Sequence, residues 1–119
     1  MEGSPKLYKE SRPWGNFERF TLNEPTTVKI ITVNPDEAFS LQTHDHRNEF
    51  WRVLNGSGLV QIGEAEHEAQ EGDSFLIKAH EKHRATAGTN GLVMLEIAFG
   101  EFDEKDLTRI EDRYGRAQQ

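Results

Sequence analysis

The segment SLQTHDHRNEFWRVLNGSG, residues 40–58, sets a cluster of metal-binding side-chain types beside two stretches of strand-like sequence. In a strand, side chains two apart share a face. Ser40, Gln42 and His44 then point one way, while Phe39 and Leu41 point the other and can pack an apolar layer. The next strand opens at Glu49, which shares its face with Trp51 and Val53. Two neighbouring strands could thus aim Gln42, His44 and Glu49 at one point. A fourth donor must come from elsewhere. His83, in GDSFLIKAHEKHRATA (residues 72–87), is the candidate because it follows an apolar strand and a polar turn. An amide oxygen, two imidazoles and a carboxylate suit zinc, manganese or iron(II) better than copper(I) or calcium. With a divalent ion the set leaves about one positive charge, which favours an anionic ligand or a developing oxyanion. Spacing leaves a rival shell open: His46 shares parity with His44, so His44, His46, Glu49 and His83 could converge instead. His67 reads as exposed, and His80 as a turn position with positive φ, which His tolerates better than most residues.

Outward from this segment, turn signals recur at NEP (23–25), NPDE (34–37), NGSG (55–58), EGD (71–73) and GTNG (88–91). Between them lie TTVKIITV, FWRVL, LVQI, SFLI and LVMLEIAF, rich in β-branched and aromatic residues. Short strands punctuated every ~8–12 residues predict an all-β sandwich or barrel. The end differs. In DLTRIEDRY (106–114), Leu107, Ile110 and Tyr114 share helical spacing and Asp106 can cap, predicting one short C-terminal helix. Residues 1–11 read as a loose polar arm and 12–119 as one domain.

Composition narrows the function classes. The chain has no cysteine, so disulfides and thiolate metal sites are excluded. A formal charge of −7, with 21 acidic residues spread along the chain, argues against a nucleic-acid partner, whose phosphates need a basic footprint. No apolar run reads as a signal peptide or a membrane span, so the expectation is a soluble, cytoplasmic protein with no membrane partner. Long β-edges need covering, which leads to the expectation of a homodimer.

The residues also carry a resemblance. PDEAFSLQTHDHRNEFWRVLNG followed by GDSFLIKAHEKHRATA resembles the paired motifs of the cupin superfamily: Glu49 precedes Gly56 by seven positions, and Gly72 precedes His83 by eleven. More narrowly, RPWG (12–15), SLQTHDHRNEFW (40–51), KHR (82–84), LEI (95–97), GEF (100–102) and RIEDRYGR (109–116) resemble the type II phosphomannose isomerase cupin domain. That domain often forms the C-terminal half of a bifunctional mannose-1-phosphate guanylyltransferase. The resemblance implies a double-stranded β-helix, or jelly-roll barrel. It also implies a metal shell of Gln42, His44, Glu49 and His83, with glutamine where most cupins have a first histidine, leaving His46 to line the pocket.

The implied reaction is aldose–ketose isomerisation of a hexose 6-phosphate through an enediol, with zinc first among the metals and manganese or iron as alternatives. His46 is the expected catalytic base; Arg109, Arg116 and Lys29 are the expected phosphate ligands. A second expectation is a non-catalytic, metal-dependent sugar or small-acid binding module. Guanylyl transfer is not expected from a chain of this length. The sequence departs from the family at Lys78 and His80 for proline and glycine, Ala87 for asparagine, Phe50 for histidine, Asp36 for glycine, and Ile30 for a basic residue.

Overall fold

A computed structural model describes residues 7–115, all of whose regular structure is extended. The strands are β1 (Tyr8–Arg12), β2 (Gly15–Arg19), β3 (Thr26–Val33), β4 (Leu41–Thr43), β5 (Asn48–Ile62), β6 (Ala65–Gln70), β7 (Ser74–Ile77), β8 (His83–Phe99) and β9 (Thr108–Glu111). Two of these organise the rest. Strands β5 and β8 form one antiparallel ladder from Asn48↔Phe99 to Ile62↔His83, broken by register shifts between Val53 and Asn55 and between Gly56 and Gly58. Before the break the ladder is flanked by β7, on Glu49–Arg52, and by β3, on Leu92–Phe99. Beyond it the flanking strands are β6, on Ser57–Ile62, and β4 with β9 outside it.

The NGSG and GTNG segments, read as turns in the sequence, therefore lie within long strands. Their glycines serve close approach at the break. A Cβ on Gly56 would stand 2.1 Å from the Gly91 carbonyl oxygen, and one on Gly58 would stand 2.0 Å from that of Thr86. Folded there, the ladder encloses an apolar core of Trp51, Val53, Val60, Ile77, Leu92 and Met94.

The C-terminal helix expected over 106–114 is not formed. Thr108–Glu111 is strand β9, paired with β4 through Gln42↔Arg109 and Thr43↔Thr108. The helical spacing of Leu107, Ile110 and Tyr114 is outweighed by an open strand edge and by two β-branched residues, Thr108 and Ile110, that suit it. The arm read over residues 1–11 lies outside the described residues up to position 6; from Tyr8 it enters β1, which pairs with β2.

Candidate metal centre and adjoining cavity

Glu49 and His83 stand near opposite ends of the β5–β8 ladder, and folding the ladder brings them face to face. Gln42 lies in β4, opposite His83 in register, and His44 follows that strand. His44, Glu49 and His83 are all buried, and one ligand atom from each lies within 4.8 Å of the others. His44 Nε2 is 3.4 Å from Glu49 Oε2, and His83 Nε2 is 4.0 Å from Glu49 Oε1.

Both rings are aimed. His44 Nδ1 lies 2.6 Å from the Asp106 carbonyl oxygen, and His83 Nδ1 lies 2.9 Å from that of Glu81. A carbonyl can only accept, so each Nδ1 carries the proton and each Nε2 presents its lone pair inward. His83 Nε2 is buried with no hydrogen-bond partner among the described residues. Such an orphaned acceptor is costly in a protein interior unless something else fills it. An ion bonded at about 2.1 Å needs donors about 3–4 Å apart, a separation that both Glu49–histidine pairs show. Gln42 stands beside it with Nε2 3.5 Å from His44 Nε2, while its Oε1 accepts from Ser40 Oγ at 2.7 Å. Coordination through the amide oxygen requires that amide to turn over.

Two residues that the sequence reading passed over complete the centre. Arg47, buried at the entry to β5, donates from Nε to Glu49 Oε2 at 2.8 Å. Glu96 in β8 is buried and stands opposite Trp51 and Lys29 in register. Arg47 was legible as the residue two before Glu49, hence on its face. Glu96 was legible as the lone charge in the apolar run 92–99. Burial pushes the Glu96 carboxyl up to about 7, helped by the charge of Glu49 and opposed by Lys29. Burial would raise Glu49 too, but His44, the Arg47 hydrogen bond and the His83 and Arg47 charges hold it below the usual carboxylate range. The His83 imidazole is pushed down by burial, against its carbonyl bond and Glu49.

Beside the centre lies a cavity of 260 Å³ whose walls include Lys29, Gln42, His44, Arg47, Glu96 and Arg109. Its outer wall comes from the C-terminal segment. The Asp106 carboxylate accepts the N–H groups of Asp45 and His46 at 2.8 and 3.0 Å, which pins the loop after His44. Phe102 lies under both cations, 4.3 Å from Arg47 and 4.4 Å from Lys29. Arg109 contributes a buried Nε with no partner among the described residues.

The expected site residues thus divide. Gln42, His44, Glu49 and His83 come together, and Lys29 and Arg109 border the same cavity. His46 is exposed and does not line it, and Arg116 lies outside the described residues. Phe39, expected on the opposite face from Gln42, precedes β4 and also borders the cavity, with its ring edge-on to Trp51 at 5.8 Å. Among the departures from the family pattern, Ile30 points outward at 65% exposure and Phe50 packs with Ile97 and Phe99. Neither reaches the cavity. Two others, Asp36 and His80, adopt positive φ (62° and 73°), the region that suits the family's glycine.

Comparison with known proteins agrees with this geometry. The family model described as mannose-6-phosphate isomerase C-terminal matches residues 4–112. The mannose-1-phosphate guanylyltransferase ManC of Salmonella typhimurium is 37% identical over 107 residues, covering 88% of this chain and 22% of that protein. The xanthan biosynthesis protein XanB of Xanthomonas campestris is 37% identical over 110 residues, covering 91% of this chain and 24% of its own length. The chain therefore spans about a quarter of these relatives. A solved cupin from Bacteroides fragilis superposes with a TM-score of 0.59 at 20% identity, covering 73% of this chain and 78% of that one, a likeness of fold.

Proposed function

The chain belongs to the family of mannose-6-phosphate isomerase C-terminal cupin domains, and from that membership we propose that it isomerises a hexose 6-phosphate, mannose 6-phosphate to fructose 6-phosphate. One observation carries the reading: the buried donors of His44, Glu49 and His83 meet beside a cavity whose lining brings Lys29, Arg47 and Arg109 together with the carboxyls of Glu96 and Glu104. His44, Glu49, His83 and a turned Gln42 would hold the metal, zinc first and manganese or iron(II) after it. A divalent ion bound there supplies Lewis acidity, lowering the cost of negative charge on a sugar oxygen during proton removal.

The chain's own residues supply the rest. Lys29 and Arg109 are placed to grip a phosphate, Arg109 through its unpartnered Nε. Aldose–ketose exchange moves a proton between neighbouring carbons through an enediol. Glu96 is the group best placed to carry it, because its buried Oε2 has no hydrogen-bond partner among the described residues and the residue borders the cavity. His46, the base expected from strand parity, is exposed and outside that wall. The Phe102–Arg109 segment is held against one side of the cavity through its contacts with Lys29, Arg47 and His44.

A coupled assay on zinc- or manganese-loaded protein tests the reading. Turnover of mannose 6-phosphate that falls to background in His83→Ala supports it. Absence of turnover with every hexose 6-phosphate, while the ligand still binds, would favour the non-catalytic sugar-binding alternative.

We also propose a second copy of the chain as partner. The β1–β2 hairpin pairs with no other strand among the described residues, and a lone hairpin is marginal in water. Its tip residue Trp14 is 74% exposed, and Val28 and Ile30 lie bare on the outer face of β3. Light scattering reads the outcome: a dimer mass that Trp14→Ser and Ile30→Lys together reduce to a monomer.

A further inference from the structure

The centre already holds a cation. Arg47 donates to Glu49 Oε2 at 2.8 Å, and its Nη2 lies 3.3 Å from His44 Nε2, so one guanidinium spans two of the three donor residues. With Nδ1 of His44 committed to the Asp106 carbonyl, Nε2 is the ring's one lone pair, and it cannot serve a guanidinium N–H and a metal together. Resting on the metal reading above, we propose that Arg47 competes with the divalent ion for His44 and Glu49. When the ion takes them, the released guanidinium becomes an anion ligand of the adjoining cavity.

The surroundings support both halves. Arg47 is 8% exposed, so once detached it cannot simply turn into bulk water. Its other contacts, the Asp103 carbonyl at 3.3 Å and the Phe102 ring, hold it against the cavity wall that it shares with Lys29 and Arg109. An anion seated there would stabilise the released arginine, and a released arginine would strengthen the anion site. Metal and anion binding are then coupled, and by linkage each tightens the other. The opposite role is a brace, in which Arg47 only orients Glu49 for the metal. The two roles predict opposite signs when the guanidinium is removed.

The experiment uses metal-stripped full chain and measures Mn²⁺ affinity by electron paramagnetic resonance of the free ion, with and without sulfate at constant ionic strength. Removing a cation from a carboxylate's hydrogen bond is expected to tighten Mn²⁺ about tenfold in Arg47→Met. Sulfate is expected to tighten Mn²⁺ severalfold in the wild type and to have a smaller effect in the variant. Arg47→Lys, which keeps the charge but lacks the fork, is the second variant if the first does not fold; tightening of about threefold is expected. Equal or weaker Mn²⁺ binding in the folded variants, or no sulfate effect in a wild type that binds Mn²⁺, overturns the competition. A wild type that binds neither Mn²⁺ nor Zn²⁺ overturns the metal reading itself.

Discussion

Strands β5 and β8 pass through two unlike interiors. Around the fold in their ladder they bury Val53, Val60, Leu92 and Met94, each at most 1% exposed, in an apolar cluster. Toward its ends the same strands bury Glu49, Glu96 and His83, with Arg47 just before β5. The first interior is stabilised by removing apolar surface from water. The second is costly to desolvate: Glu49 keeps its charge beside Arg47, while Glu96 holds its proton up to about pH 7. One ladder therefore carries stability in its middle and chemistry toward its ends.

Crossed substitutions sharpen that contrast. Glu49→Gln should have the largest effect, abolishing metal binding and also destabilising metal-stripped protein by about 3–5 kcal/mol, because Arg47 is left buried without its partner. Adding Arg47→Met should restore much of the stability and none of the metal binding. Met94→Ala should cost about 2–5 kcal/mol through the cavity it leaves while keeping metal stoichiometry intact. Chemical denaturation paired with metal titration reads both. If Met94→Ala also abolishes metal binding, the two interiors are not separable.

A pH scan of metal-stripped protein probes the polar interior alone. The Glu96 carboxyl is pushed from an ordinary 4.5 to about 7, so the folded chain keeps a proton that the unfolded chain releases earlier. The folded state then binds more protons across that window, and stability must fall as pH rises from about 4.5 to 7, by on the order of 3 kcal/mol, and level off above it. Glu49, held below its ordinary range, acts in the opposite sense at more acid pH. Glu96→Gln should flatten the fall between pH 4.5 and 7. An unchanged slope in that variant would assign it to another group.

The smallest effect belongs to the backbone. His80 sits at φ 73° in the loop before His83, with its N–H donating to the His44 carbonyl oxygen at 2.7 Å. His80→Gly should stabilise the protein by no more than about 1 kcal/mol, the relief of left-handed strain being partly offset by a more flexible unfolded chain. Loss of stability there would mean that the imidazole, which faces Asp45, contributes more than the strain costs.

Strand parity made much of this legible. It aligned Gln42, His44 and Glu49, and TTVKIITV read as strand over the span that β3 occupies. Parity could not reveal which strand ends meet across the interior; His83 was proposed from its place after a strand and a turn, and the choice of Gln42 over His46 rested on family resemblance. His46 shows the same limit, since alternation fails once the chain leaves β4 and Asp106 pins its backbone outward. The C-terminal segment misled for a related reason. Its helical periodicity is real, but pairing with distant residues, Thr43 for Thr108 and Gln42 for Arg109, is a tertiary fact that no local pattern carries. NGSG and GTNG were read as turns because glycine serves turns and close strand approach alike.

X-ray absorption at the metal edge of zinc-loaded protein addresses the metal centre most directly. The account predicts a first shell containing two imidazoles, one of which disappears in His83→Ala. A shell of oxygen ligands alone, or a spectrum that the substitution leaves unchanged, would contradict it.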